Sequence, residues 1–128
     1  MKIPEQVKFG GDGLIPAVIQ DANNGEVLMV GFMNRDALEK TLSEGKVCFW
    51  SRSRQKLWLK GESSGNFLLV KDVFVNCYAD SLLIKADPVG PTCHNGYDSC
   101  YYRRITEDGG LEIIAEQKFN PDTAYGKS

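Results

Sequence analysis

The sequence predicts an α+β fold, a mostly antiparallel β-sheet roll with one main helix packed on it. Three observations carry this expectation. A β-hairpin pattern comes first, a single amphipathic helical stretch follows, and the rest is a series of short runs rich in aromatic and branched residues, separated by polar or glycine-containing turns. No internal repeat, proline- or serine-rich linker or block of like charge divides the 128 residues, so a single domain spanning 1–128 is expected.

The elements follow in order. After Gly10-Gly11-Asp12-Gly13, residues 14–21 (LIPAVIQD) read as a strand, with Pro16 suggesting an edge position or a strand start. Ala22-Asn23-Asn24-Gly25 supplies a hairpin turn, because Asn-Gly tolerates positive φ, and residues 26–33 (EVLMVGFM) form the returning strand. Asn34 is the helix N-cap, Asp36 sits at the positive end of the dipole, and Leu38 with Leu42 gives an i, i+4 stripe running to Gly45. Beyond Lys46, the runs VCFWSRSR, LWLKGE, FLLVKDVFVNC, SLLIKA and SCYYRRI read as strands. The later run LEIIAEQKF fits a strand or a helical turn.

Composition narrows the function. Hydrophobic residues make up 42% and charged residues 25%, an ordinary globular composition. With 15 basic and 17 acidic residues the net charge is -2, too balanced for a protein whose main task is to hold a nucleic-acid backbone. The N-terminus MKIPEQVKFGGDG lacks a signal-peptide apolar region, and no apolar run approaches the ~20 residues of a membrane span. A cytoplasmic protein with neither membrane nor nucleic-acid partner is expected. In that compartment the four cysteines are metal ligands, reactive thiols or small buried hydrophobes sooner than disulfides.

Cys77, Cys93 and Cys100, with His94 as the only histidine, form a candidate zinc cluster. Three thiols and one non-cysteine neighbour suit an open, catalytic zinc site, although the spacing lacks paired CxxC knuckles and buried apolar cysteines are the alternative. Three thiolates make zinc a weak Lewis acid, so its water needs a base. Histidine is the residue type suited to acid–base work at neutral pH, and His94 sits where a base is useful; the competing reading makes it a fourth ligand that closes the site. Cys48, between Val47 and Phe49, reads as core.

A basic strand offers an anion site. On an extended strand Trp50, Arg52 and Arg54 share one face, with Phe49, Ser51 and Ser53 on the other. Guanidinium groups beside an aromatic suit a phosphate and a stacked base, whereas a solvated strand face is the plain reading. Trp58, Lys60 and Glu62 continue the alternation into Ser63-Ser64-Gly65-Asn66, a loop able to offer backbone N–H groups, and Arg103 and Arg104 add charge after Cys100. A small, doubly anionic ligand suits this set. Asn76 and Asp80 make a thin oxygen set for a hard cation.

With the stretches GLIPAVIQD, GEVLMVGFMNRDALEKTL, FWSRSRQKLWLKGESSGN, CYADSLLIK and GPTCHNGYDSCYYR in this order, the chain resembles the phosphoribosyl-AMP cyclohydrolases of histidine biosynthesis over about residues 13–104. The resemblance implies hydrolysis of the N1–C6 bond in the adenine ring of phosphoribosyl-AMP and an intertwined homodimer. It implies one Zn2+ per subunit, held by Cys77, Cys93 and Cys100 drawn from both subunits, with His94 catalytic. It also implies Mg2+, but of the family's spaced aspartates only Asp80 is present, the other places holding Asn76 and Tyr78, and a Gly-His pair is replaced by Gly65-Asn66. The substrate contacts expected from the basic strand and the loop after it are Trp50, Arg52, Arg54, Lys60, Ser64, Gly65 and Arg103. The chain leaves no room for the pyrophosphohydrolase domain of some relatives, so a single activity is expected. Two other readings remain: a zinc-stabilised nucleotide-binding module without catalysis, and a related purine deaminase, which would release ammonia.

Overall fold

The computed structural model describes residues 1–124. Two strands, β1 (Ile15–Asp21) and β2 (Val27–Met33), form the expected antiparallel hairpin. Gly25 turns it at φ 80°, with its N–H donating to the Asp21 carbonyl at 2.9 Å. Helix α1 (Arg35–Glu44) begins where Asn34 Oδ1 accepts the Ala37 N–H at 2.8 Å and stops at Gly45, which adopts a left-handed φ of 73°. Both caps match the sequence expectation, because each is a local event decided by a few side chains.

The remaining strands are β3 (Cys48–Ser51), β4 (Lys56–Leu59), β5 (Leu68–Val75), β6 (Leu82–Pro88), β7 (Arg103–Ile105) and β8 (Leu111–Ile113), before a short α2 (Pro121–Ala124). They make a four-stranded sheet in the order β2-β1-β6-β5 and two separate hairpins, β3-β4 and β7-β8. Pairing is antiparallel throughout except between β1 and β6, where Ala17 lies opposite Leu82 in a parallel ladder. Strand β1 is therefore interior, and the edge reading of Pro16 is corrected. Pro16 precedes the first β6 pairing at Ala17, so its missing N–H costs that ladder nothing and the strand-start reading stands. Two expected strands are shorter than read. VCFWSRSR leaves extended structure after Ser51, and SCYYRRI is a strand only from Arg103. The run 111–119 opens as a strand.

One face of the main sheet builds the core. Ile15, Ala17 and Ile19 of β1 and Leu82, Ile84 and Ala86 of β6 alternate inward, and meet Ala37 and Leu38 of α1, Phe49 and Leu68. Helix α1 lies mainly against β3. Glycine at position 31 lets β2 pass close to the β3 hairpin, since a Cβ there would stand 2.5 Å from the Phe49 ring. Cys48 is buried in this core, as expected, and burial pushes its thiol pKa up.

Thr41 couples helix to hairpin. Its buried hydroxyl accepts the Cys48 N–H at 3.0 Å and lies 2.8 Å from the Ala37 carbonyl, to which it donates. Thr41→Val keeps the shape but leaves the Cys48 amide unpaired, so a loss of about 1–3 kcal/mol is expected as a lower urea midpoint at unchanged slope. Thr41→Ser should retain most of the stability.

Candidate active site

A compact loop after β6 gathers the chemistry. The N–H groups of Thr92 and Cys93 donate to the carbonyls of Asp98 and Tyr97, and Gly96, at φ 92°, closes the turn through the Cys93 carbonyl. The Cys100 N–H binds the Leu28 carbonyl at 2.7 Å and Ser99 Oγ donates to the Val27 carbonyl at 2.7 Å, which ties the loop to β2. Tyr97 stacks on Tyr102 with centroids 3.7 Å apart. The result sets the Cys93 and Cys100 thiols together and leaves His94 exposed beside them.

Opposite stands the β3-β4 hairpin. Between the loop and this hairpin lies a cleft of about 430 Å³ whose wall includes Ser51, Ser53, Arg54, Trp58, Lys60, Thr92, His94 and Cys100. A second lobe of about 260 Å³ shares Trp58, Lys60 and His94 and extends to Glu62, Ser63 and Ser64. Together they have the size of a small-ligand site.

Lys60 is the unusual group. It is 6% exposed and makes no ion pair among the described residues, and its ammonium lies 5.7 Å from the Trp58 ring centre. Burial lowers its pKa, and the neighbouring Cys100 and Cys93 thiols oppose that shift. An unpaired buried cation is costly, and an anion in the cleft would relieve the cost. Although Cys100 is exposed as a residue, removal of its thiol from water is the main reason its pKa is pushed up to about 11; the Cys93 thiol adds to the rise and Lys60 opposes it. A bound divalent cation would reverse that preference, since metals take the thiolate.

Of the residues singled out from the sequence, the cleft unites Arg54, Lys60, Ser64, His94 and Cys100, with Cys93 behind them. Others go elsewhere. Because the chain turns through residues 52–55, with Gln55 at φ 53°, the shared strand face of Trp50, Arg52 and Arg54 does not exist. Trp50 packs on the core, and the Arg52 guanidinium covers the Phe32 ring at 4.3 Å. Trp58 is the aromatic at the site. The Gly65 N–H donates to the Gly61 carbonyl at 2.7 Å, so it is not free for an oxyanion, whereas Ser64 Oγ accepts from Asn66 and keeps its proton to donate. Strand β7 carries Arg103 over Tyr102 and pairs Arg104 with Glu112, outside both lobes.

Cys77 sits exposed in the β5-β6 turn. No group of three or more His, Cys, Asp or Glu side chains suited to a metal forms among the described residues, so one chain brings together two of the three expected zinc thiols. In that same turn Asn76 Oδ1 accepts the N–H groups of Asp80 and Ser81, and its amide donates to Asp80 at 2.7 Å. Asn76 thus shapes the turn, and the Asp80 carboxylate alone is too small a donor set for magnesium. Thr92, Ser51 and Ser53 were not read from the sequence as site residues. Thr92 is 1% exposed and its hydroxyl has no hydrogen-bond partner among the described residues; its position beside Cys93 was the available signal.

Residues 29–102 match the sequence profile of the family described as phosphoribosyl-AMP cyclohydrolase. The protein of that name from Chlorobium phaeovibrioides is 52% identical over 123 residues, covering 96% of this chain and 90% of its own. Its namesake from Prosthecochloris aestuarii is 53% identical over the same shares, and that from Pelotomaculum thermopropionicum is 48% identical over 96% of this chain and 95% of its own. No helix among the described residues is long and apolar enough to cross a membrane. With a matched profile that runs from within β2 through the Cys93–Cys100 loop, and relatives about half identical along nearly the whole chain, the protein belongs to the phosphoribosyl-AMP cyclohydrolase family.

Proposed function

We propose that the protein opens the adenine ring of phosphoribosyl-AMP by hydrolysing its N1–C6 bond, as a step of histidine biosynthesis. The reading is that of a cytoplasmic homodimer in which residues 1–128 act as one domain and each subunit holds one zinc. The observation that carries it is the convergence of His94, Lys60, Trp58 and Cys100 on one cleft, in a chain belonging to this family. Trp58 offers its ring to the purine, and Arg54 and Lys60 draw the phosphates of a substrate anionic at both ends. The serines of the two lobes supply hydrogen bonds that fix its orientation.

The adjacent Cys93 and Cys100 thiols, with a Cys77 thiol of the partner subunit, would hold a zinc ion, which when bound would supply the Lewis acidity that makes water nucleophilic near neutrality. His94 takes a proton from the attacking water as its oxygen bonds to C6 and delivers it to N1 as the C6–N1 bond breaks. The leaving nitrogen stays attached to the nucleotide, so no ammonia is released.

The test incubates zinc-loaded protein with phosphoribosyl-AMP and follows both the ultraviolet change of ring opening and ammonia. Ring opening without ammonia is the expected result. Ammonia would establish a deaminase instead, and binding without turnover a nucleotide-binding module.

A further inference from the structure

His94 makes no hydrogen bond of its own among the described residues, through either its backbone or its imidazole, yet it lines both lobes of the cleft. Its place is therefore set by its neighbours. On one side Cys93 is fixed within the loop, its N–H on the Tyr97 carbonyl and its own carbonyl taking the Gly96 N–H. On the other side, the carbonyls of Asn95 and Gly96 find no donor inside the loop among the described residues.

The chain returning from β8 supplies both donors. The Ile114 N–H donates to the Tyr102 carbonyl at 3.0 Å, and the residues after it run back along the loop. Gln117 Nε2 donates to the Asn95 carbonyl at 2.8 Å, and the Lys118 N–H donates to the Gly96 carbonyl at 2.6 Å. The fit is close, because a Cβ on Gly96 would collide with the Phe119 carbonyl and stand 3.2 Å from Gln117 Cγ. Asn95 is gripped a second time, since its Nδ2 donates to the Tyr102 hydroxyl at 3.2 Å. The Lys118–Asp98 ion pair, 3.9 Å long with both side chains about half exposed, adds little. Residues 114–119 thus form a strap across the turn that carries His94, and they lie beyond the matched profile, which ends at residue 102.

We propose that this strap positions His94 for proton transfer, with Gln117 as the positioning residue acting through the Asn95 carbonyl. The inference rests on the acid–base reading of His94 given above. A base works within about 2.6–3.2 Å of the proton it takes, and a displacement of about 1 Å can cost 10²-fold in rate. An exposed side chain on an untied turn does not keep such a position. Gln117 lines neither lobe, so its effect reaches the chemistry through the turn it holds. Lys118 acts through its backbone, which substitution leaves in place.

The experiment uses the zinc-loaded, tag-free full chain. Gln117 is exposed, and Gln117→Ala should lower kcat by about 10–100-fold while KM, zinc content and the urea midpoint stay near wild type. Gln117→Glu, which keeps the shape without the N–H, should match it, and Gln117→Lys, which keeps an N–H donor, should recover most of the loss. The same alanine in a His94→Ala background should change kcat by less than about 2-fold, because no base remains to be placed. His94 is the only histidine, so isotopic labelling of histidine reports one backbone amide, whose heteronuclear NOE should fall in Gln117→Ala without substrate. An unchanged NOE, or equal losses of kcat in the two backgrounds, overturns the strap alone. Full activity in His94→Ala overturns the acid–base reading and the purpose of the strap together.

Discussion

Replacing His94 by alanine is expected to lower kcat for phosphoribosyl-AMP by about 10²–10⁴-fold, the range for loss of a positioned acid–base group, at unchanged zinc content. His94 is exposed beside two thiols and lines both lobes of the cleft, so little of the fold depends on it. The urea midpoint of the variant should match wild type. Loss of one zinc equivalent on substitution would instead identify the imidazole as a ligand, and full activity with full zinc would remove the histidine from the chemistry. Metal analysis and steady-state kinetics on one preparation separate these outcomes.

Lys60→Met should move activity and stability in opposite directions. Lys60 is buried with no carboxylate partner among the described residues, and methionine fills similar space without a charge to desolvate. In the metal-free protein the variant should be more stable by about 1 kcal/mol or more, a rise of a few degrees in Tm. With zinc and substrate present, kcat/KM should fall by roughly 100-fold, because one charge-assisted contact to an anion is worth about 2–3 kcal/mol. A variant less stable than wild type in the metal-free state would show that the lysine serves the fold. Differential scanning calorimetry without metal and initial rates with it make the comparison.

The two halves of the molecule differ in how much of them the sequence discloses, and the difference is one of range. The Asn34 and Gly45 caps and the Asn-Gly turn at Gly25 are settled by neighbours in the chain, and each is where local chemistry puts it. Period-two alternation assumes that a strand continues. That assumption failed at Ser51, where the turn to β4 moved Arg52 onto Phe32 and brought Ser51 and Ser53, not Trp50, to the cleft. Arg54, Lys60, Ser64 and His94 were legible because their types suit an anion site and an acid–base role wherever the chain carries them. Trp58 could not be chosen over Trp50 without knowing that its strand partner is Phe49 and that Lys60 lies near it. The parallel pairing of β1 with β6 leaves no local mark at all.

That pairing also sets the order in which the chain can fold. The β1-β2 hairpin closes over a few residues, but the second side of β1 has no partner until residues 82–86 are available. Ala17 meets Leu82 across 65 positions, the kind of distant closure that raises contact order and slows folding. During synthesis the unpaired backbone edge of β1 must therefore wait, open, while α1 and the β3-β4 hairpin emerge, and at ~5–20 residues per second the wait lasts several seconds. A nascent chain of this length presents an unpaired strand edge to its neighbours, which makes β6 the element whose arrival ends the exposure to misassembly.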